Sequence, residues 1–273
     1  MTPLRCPLCQ LPLDAGEKTA RCARGHSFDR AREGYWHLLP VQQKNSRDPG
    51  DDAAMVAARQ AFLEAGHYTP LREALCAAVA PLAPRQLLDS GCGEGWYTAA
   101  LRAVMPDSSA AGITALDISK HAMRRAARRA GDITWLVASS MALPLPDASV
   151  DVITALFTPL DLAECARVLT PGGHLIVVAP GEKHLWELRA ALYDEVRPHV
   201  PEKWLAQASA HFALAHEVEV SFRVQLHDNA GVQQLLTMTP HYWRAPRERR
   251  EAVGALDSLS VQADFRLLVF RKR

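Results

Sequence analysis

The stretch from Leu87 to Thr98 constrains the fold of this chain more than any other. It runs Leu-Leu-Asp-Ser-Gly-Cys-Gly-Glu-Gly-Trp-Tyr-Thr, an apolar run followed by an acidic residue and three alternating glycines. Glycine lets the backbone turn tightly and lets a ligand approach the main chain without a Cβ in the way. A helix that begins near Gly95 would direct its free N–H groups at that ligand. The stretch therefore predicts a strand, a ligand-binding turn and a helix.

Neighbouring segments indicate which ligand the turn binds. The glycines are spaced G-x-G-x-G after Asp89, whereas a dinucleotide fingerprint is spaced G-x-G-x-x-G. The next apolar run ends at Asp117, whose carboxylate can accept both hydroxyls of a ribose. A Pro-Gly-Gly turn at 171–173 then precedes an apolar run at 174–178. Together these features resemble class I S-adenosylmethionine (SAM)-dependent methyltransferases. The alternatives are NAD binding and a tight turn that binds no ligand.

Apolar and helix-compatible segments alternate from residue 86 onward. Strands are predicted at 86–89, 111–116, 133–137, 150–155 and 174–179, and helices at 95–104, 119–130, 160–169 and 183–196. The tail adds strands at 218–226 and 265–270, with helices near 231–236 and 247–256. Such alternation implies a doubly wound sheet. We therefore predict an α/β fold of the class I methyltransferase type, Rossmann-like, with a mostly parallel seven-stranded sheet.

Composition limits the possible roles of the chain. The net charge of its 273 residues is only +1, so any contact with nucleic acid must come from local patches. No stretch reaches the roughly 18 apolar residues of a membrane span, and the first residues lack a signal-peptide core. We expect a cytoplasmic protein that acts on neither membrane nor DNA. In that compartment six cysteines are metal ligands or buried thiols rather than disulfides.

Four residues near the start of the chain have the spacing of a zinc site. Cys6, Cys9, Cys22 and His26 give the pattern C-x2-C-x12-C-x3-H, and thiolates with imidazole are the ligands of structural zinc. A segment of about forty residues buries too little apolar surface to fold without such help. The pattern predicts one structural zinc ion in a small N-terminal zinc-ribbon-like domain; a reduced cysteine cluster is the alternative. The isolated Cys76, Cys92 and Cys165 are interpreted as core residues.

The chain is predicted to divide into three parts. Residues 1–40 form the zinc-binding, RNA-recognition domain, 41–85 a linker with lid helices, and 86–273 the methyltransferase domain. In the middle part, Asp51 or Asp52 can cap a helix over 53–65, and a second helix is predicted at 71–79. These helices would lie over the cofactor crevice, where Tyr68 could reach the cofactor.

Basic residues accompany aromatic residues in the N-terminal part, at Arg5, Arg21, Arg24, Arg30 and Arg32 with Phe28, Tyr35 and Trp36. Cations suit phosphates and rings suit unstacked bases, so the mixture favours RNA binding. A solvated basic face over a small aromatic core is the alternative, as it is for two further clusters. Those clusters are Lys120, Arg124, Arg125, Arg128 and Arg129 on one helix, and Arg244, Arg247, Arg249 and Arg250 after His241-Tyr242-Trp243.

The whole chain resembles the bacterial 23S rRNA (guanine-N1)-methyltransferase family, the zinc-containing type that acts in the helix 35 hairpin. The resemblance covers the zinc pattern, 33–40, Ser46-Arg47-Asp48-Pro49-Gly50-Asp51, 59–68, 89–98, 180–185 and 238–245. It implies SAM contacts at Tyr68, the Gly93–Gly95 loop, Asp117 and His184, and a homodimer with a basic cleft. The predicted cofactor site comprises Tyr68, Asp89, Gly91, Gly93, Glu94, Gly95, Asp117 and His184.

The resemblance also implies the reaction, which is methyl transfer from SAM to N1 of a guanine in helix 35 of 23S rRNA. The linker favours the branch that modifies position 745, with 748 second. The alternatives are a methyltransferase of another RNA or a small molecule, and a non-catalytic RNA-binding protein with the same fold.

Guanine N1 lies on the Watson–Crick edge, so a paired base must first leave its helix. Its proton must also leave, and Asp48, Asp51 and Asp161 are candidate acceptors, although capping or surface roles are the alternative for each. The catalytic residue is left unassigned.

Overall fold

The computed structural model describes residues 3–44, 46, 48–108, 111–199 and 206–273. Its N-terminal part is a small antiparallel ribbon in the order β1-β2-β3. The strands are β1 (Asp14–Ala15), β2 (Thr19–Arg21) and β3 (Ser27–Asp29). Strands of two or three residues bury little apolar surface, so this ribbon depends on its metal site and on the sheet beside it.

The centre of the molecule is one eight-stranded sheet. Its strands are β4 (Trp36–His37), β5 (Gln86–Ser90), β6 (Gly112–Asp117), β7 (Ile133–Val137), β8 (Val150–Leu156), β9 (Leu169–Pro180), β10 (Phe212–Leu226) and β11 (Leu259–Lys272). The spatial order is β10-β11-β9-β8-β5-β6-β7-β4, and β10 and β11 are antiparallel while β4 to β9 run parallel. The predicted class I methyltransferase fold is confirmed, with all seven of its strands.

Helices cover the sheet. They are α1 (Ala53–Glu64), α2 (Thr69–Val79), α3 (Trp96–Val104), α4 (Lys120–Ala126), α5 (Leu162–Val168), α6 (Trp186–Leu192), α7 (Asn229–Met238), α8 (His241–Arg244) and α9 (Arg247–Gly254). Asp52, not Asp51, caps α1 by accepting the N–H groups of Ala54 and Met55. None of the helices that the structure describes is long and apolar enough to cross a lipid bilayer.

Two helices are shorter than their patterns predict. Beyond Ala126 the N–H of Arg128 bonds to the carbonyl of Arg125 three residues back, so α4 ends in tight turns. At the other helix, Leu185 has φ +52°, and this left-handed residue delays the start of α6 to Trp186. The prediction placed these helices over 119–130 and 183–196.

The eighth strand joins the ribbon to the main sheet. Trp36 and His37 pair in parallel with Leu136 and Val137 of β7, and Trp36 also forms an antiparallel bridge with Arg30, next to β3 of the ribbon. The indole of Trp36 is buried in a core that contains both Phe28 of the ribbon and Leu136 of the sheet, so burial stabilises both contacts. An ion pair between Arg5 and Asp147 adds a second connection. The zinc ribbon is therefore continuous with the methyltransferase sheet.

Candidate active site and zinc centre

The four predicted zinc ligands meet at one point. Their ligand atoms all lie within 4.8 Å of one another. The Sγ atoms of Cys9 and Cys22 are 3.6 Å apart, and Nδ1 of His26 is 3.4 Å from the Sγ atoms of Cys6 and Cys22. A tetrahedral zinc with ordinary bond lengths requires about 3.8 Å between sulfurs and about 3.5 Å between sulfur and nitrogen. The donor set fits one structural zinc ion with no open coordination position.

Two tight turns present these ligands. In the first, the N–H of Gln10 donates to the carbonyl of Cys6, and in the second the N–H of Gly25 donates to Cys22. Burial opposes ionisation of Cys22, but the N–H groups of Arg24 and His26 and the neighbouring thiols lower its pKa to about 6. A thiolate is the form that binds zinc, so the turn prepares this ligand.

The other cysteines behave as the predicted core residues. Cys92 and Cys165 are buried, and Cys76 is half-buried. Burial raises the pKa of all three, to about 12 for Cys165, so they remain protonated and unreactive.

The glycine loop begins where β5 ends. Gly91, Gly93 and Gly95 have φ values of +74°, +58° and +79°, the left-handed region that side chains disfavour. A Cβ on Gly91 would lie 2.5 Å from the Cβ of Thr158, and a Cβ on Gly95 would lie 2.7 Å from the indole of Trp135. Backbone conformation and close packing therefore both require glycine here.

Asp89 holds the loop from beneath. Its carboxylate is 1% exposed and accepts the hydroxyls of Thr98 at 2.5 Å and Thr154 at 2.9 Å. These bonds join β5 to α3 and to β8, so Asp89 positions the loop with both of its oxygens occupied. Burial raises the pKa of Asp89 to about 6, although the two hydroxyls oppose the shift.

This shift predicts a pH effect on folding. The folded pKa of about 6 lies above the unfolded value of 3.8, so ionisation disfavours the folded state and its stability falls as pH rises from about 4 to 6. The expected loss is about 3 kcal/mol at 1.36 kcal/mol per pKa unit. In chemical denaturation across this range, wild type should lose about 3 kcal/mol more unfolding free energy than Asp89→Asn. If the unfolding free energy changed equally with pH in the two proteins, the raised pKa of Asp89 would be disproved. Protonation of the zinc ligands does not affect this comparison, because both proteins have the same ligands.

Asp117 ends β6 beside the glycine loop. Its half-buried carboxylate accepts the N–H of Gly93 at 3.0 Å and the N–H of Ser119 at 2.8 Å. Burial raises its pKa. Adjacent parallel strands thus bring Asp117 and the loop together at the carboxyl edge of the sheet, where doubly wound folds bind their ligands.

Tyr68 and His184 lie on the far side of this edge. The ring of Tyr68 packs edge-on against the ring of Phe265, with centroids 5.1 Å apart. The ring of His184 also packs on Phe265, with centroids 4.6 Å apart. Burial lowers the pKa of His184 to about 3, so its imidazole is neutral at physiological pH. Nδ1 of His184 accepts the N–H of Asp264 at 3.3 Å, which leaves the ring proton on Nε2.

Unsatisfied hydroxyls test whether this edge suits a polar cofactor. Among the described residues, the buried hydroxyls of Tyr68, Ser90 and Tyr97 are those without a hydrogen-bond partner. Ser90 directly precedes the loop and Tyr97 is in the first turn of α3. Because a buried hydroxyl without a partner is costly, Ser90 and Tyr97 beside the loop and Tyr68 across the edge fit a site whose ligand supplies partners.

Comparisons with known proteins match both the N-terminal ribbon and the methyltransferase part of the chain. The zinc-ribbon model described as "RlmA, N-terminal" matches residues 4–47, and the model described as "Methyltransferase domain" matches residues 88–177. A Micromonospora griseorubida protein named as a 23S rRNA (guanine-N1)-methyltransferase is 38% identical over 98% of this chain and 97% of its own. The 23S rRNA (guanine(748)-N1)-methyltransferase of Streptomyces fradiae is 38% identical over 94% of this chain and 91% of its own. The chain belongs to this 23S rRNA (guanine-N1)-methyltransferase family.

A solved structure agrees on the fold. The crystal structure of a Bacillus halodurans protein classed as a methyltransferase has a TM-score of 0.50 at 15% identity, and the match covers 72% of this chain and 97% of that one. Membership in the family makes the chain a SAM-dependent methyltransferase with a zinc-ribbon domain.

One residue of the methyltransferase site was missed by the sequence analysis. The guanidinium of Arg59 on α1 forms ion pairs with Glu94 in the loop and with Asp51. A Cβ on Gly93 would lie 3.1 Å from Nη2 of Arg59, so this side chain lies directly against the loop. Arg59 falls within the segment that carries the family resemblance, but local sequence pattern gave no sign of its distant partner.

The three candidate proton acceptors all have structural contacts. Asp48 bonds to Lys120 and His121, Asp51 pairs with Arg59, and Asp161 caps α5 through the N–H groups of Ala163 and Glu164. These are the capping and surface roles that the sequence analysis gave as the alternative.

Only some side chains of the predicted basic and aromatic clusters remain available for contact with RNA. The rings of Phe28, Tyr35 and Trp36 are buried, so RNA bases do not stack on them as predicted. The helical cluster is largely paired, because Lys120, Arg128 and Arg129 face Asp48, Glu33 and Glu64. Arg21, Arg24 and Arg32 are exposed on the ribbon, and Arg244 is exposed next to Trp243, which is 61% exposed.

Proposed function

We propose that this protein transfers a methyl group from SAM to N1 of a guanine in the helix 35 hairpin of 23S rRNA. The observation that carries the proposal is the full-length similarity to the Streptomyces fradiae enzyme, which spans both the zinc ribbon and the cofactor loop. The linker sequence favours position 745, whereas the name of that relative specifies 748. These two guanines are the candidates that the experiment below separates.

The proposed cofactor site uses residues that already converge at the sheet edge. Asp117 would accept the ribose hydroxyls, and Gly91, Gly93 and Gly95 would let the cofactor approach the backbone. Tyr68, Glu94 and His184 would border it, and Asp89 would act by positioning the loop. Bound SAM supplies an electrophilic methyl group, and the protein supplies alignment, which can contribute effective molarities of about 10⁵ M or more.

The proposed RNA contacts are local, since the net charge is only +1. Arg21, Arg24 and Arg32 leave their guanidinium groups exposed on the zinc ribbon and would bind phosphates. Trp243 and Arg244 lie near the start of α1, where the indole N–H meets Met55. The proposal also includes a homodimer, as the family resemblance implies, and action in the cytoplasm. Sedimentation of the purified protein tests the dimer.

Primer extension tests the reaction, because a methyl group at guanine N1 blocks copying. Purified protein, SAM and a 23S rRNA fragment containing helix 35 should give a SAM-dependent stop directly 3′ of position 745 or 748. Asp117→Ala should weaken SAM binding by about tenfold or more, since a charged hydrogen bond contributes about 1.5–3 kcal/mol. The stop should weaken with it.

The primer-extension result and the SAM affinity of Asp117→Ala can each contradict a different part of the proposal. No stop from wild-type protein that still binds SAM in calorimetry would move the substrate away from helix 35. Unchanged SAM affinity in Asp117→Ala would mean that the cofactor site lies elsewhere.

A further inference from the structure

We propose that the ring of Phe157 is a stacking surface for the purine base that receives the methyl group. This inference rests on the proposed function and adds a substrate-binding position to it. The side chain of Phe157 is large and apolar, yet it is 48% exposed. The position of its backbone, its neighbouring rings and its exposure each indicate that the Phe157 ring contacts a ligand.

The chain places Phe157 beside the cofactor loop. Phe157 follows β8 directly, and β8 lies next to β5, which leads into the loop. The N–H of Phe157 donates to the carbonyl of Val178 at 3.2 Å, which ties it to β9. The next residue, Thr158, packs so closely on Gly91 that a Cβ added to Gly91 would lie 2.5 Å from the Cβ of Thr158. The Phe157 backbone is therefore fixed one residue from a direct loop contact.

The backbone of Phe157 is strained. Its φ is +54°, in the left-handed region, and a large aromatic residue rarely adopts this conformation. Such strain persists only where surrounding contacts impose it, and it concentrates at ligand-binding sites. A ring that merely filled the core would be expected in an ordinary conformation and buried. This ring is instead held toward the open edge of the sheet.

Neighbouring rings make the surface aromatic and uncharged. The ring of His184 is nearly parallel to Phe157, with an interplanar angle of 16° and centroids 6.4 Å apart. Phe265 lies 5.5 Å from Phe157 and supports it from the sheet side. An aromatic face with no charge suits any nucleobase, because every base has a π-face. A base taken out of its helix needs such a replacement for its lost stacking partners.

Four proteins test the proposal: wild type, Phe157→Tyr, Phe157→Leu and Phe157→Gly. Single-turnover methylation of the helix 35 hairpin should fall about 5- to 150-fold in Phe157→Leu, the range measured for loss of one base–aromatic stack. Phe157→Tyr keeps an aromatic face and should stay within about threefold of wild type. SAM affinity, measured by calorimetry, should not change in either variant.

Phe157→Gly separates stacking from a structural role. Glycine adopts positive φ readily, which offsets much of the packing on Phe265 that is lost with the ring, so this variant should unfold within about 4 °C of wild type. Its methylation rate should nevertheless fall at least as far as that of Phe157→Leu. The loss of a residue needed only for packing would instead lower the unfolding temperature by more than about 4 °C, and that result would overturn the proposal.

A fluorescent hairpin tests the stack without methyl transfer. With 6-methylisoxanthopterin in place of the target guanine, wild type and Phe157→Tyr should raise the emission on binding, because the extruded probe is stabilised. Phe157→Leu should raise it less at saturating protein. Equal emission and equal rates in Phe157→Leu and wild type would reject the stacking surface. A wild-type protein that extrudes the probe but methylates no guanine would instead reject the proposed function.

Discussion

Replacing Cys22 with serine should remove the zinc ion and unfold the N-terminal ribbon. Zinc contributes an apparent binding free energy of about 10–16 kcal/mol in small zinc domains, and a site with three ligands forfeits much of it. The ribbon strands have two or three residues each and cannot compensate. Because Trp36 joins the ribbon to β7, part of the loss should reach the methyltransferase sheet. The molecule should therefore lose stability as well as metal.

The expected size of this effect is large. If about 5 kcal/mol reaches the whole fold, the unfolding temperature falls by roughly 10–20 °C at about 2–4 °C per kcal/mol. Metal analysis of the purified protein should give about one zinc per chain in wild type and far less in Cys22→Ser.

Cys76→Ser is the matched control for the zinc prediction. Cys76 is half-buried on α2 and lies outside the four-ligand cluster, so its replacement should leave the zinc content unchanged. A chelator added to wild type should reproduce the Cys22→Ser unfolding temperature. Full zinc content in Cys22→Ser, or an equal loss in Cys76→Ser, would show that the ligands are assigned wrongly.

Gly95→Ala should destabilise the fold strongly and weaken SAM binding. The new Cβ would lie 2.7 Å from the indole of Trp135 and 3.2 Å from the Cβ of Ala126, and φ would remain +79°. Left-handed backbone costs alanine about 1–2 kcal/mol and an overpacked core about 1–3 kcal/mol. The expected loss of unfolding free energy is about 2–5 kcal/mol. SAM affinity should fall with it, because relief of the clash moves the loop.

Two other glycines separate the causes. Gly34→Ala has φ +105° with no atom within 4 Å of the new Cβ, so it measures the backbone cost alone. Gly131→Ala has open space and no positive φ, so it should be nearly neutral. In denaturant unfolding, Gly95→Ala should lose the most unfolding free energy, Gly34→Ala less, and Gly131→Ala the least. Only Gly95→Ala should weaken SAM binding. If Gly95→Ala matched Gly131→Ala in both measurements, close packing at the loop would be disproved.

Local pattern in the sequence determined much of this protein. The cysteine and histidine spacing identified the zinc ligands, because two tight turns bring close residues together without help from the rest of the chain. The glycine loop and the acid at the end of β6 followed from the order of apolar runs. Parallel strands must place their carboxyl ends at one edge, so that order by itself brings Asp117 to the loop.

Contacts between distant residues were decided only by tertiary structure. Arg59 and Glu94 are 35 positions apart, and Asp89 and Thr154 are 65 apart, so no helical or strand period connects either pair. Trp36 bridges Arg30 of the ribbon and Leu136 of β7, and only the folded chain brings those two distant residues to the same strand. Phe157 is exposed on a left-handed residue, and the next residue, Thr158, packs on Gly91 from a different strand end. Periodicity describes which face a residue occupies within its own element, whereas these features depend on what lies across from that face once the chain has folded.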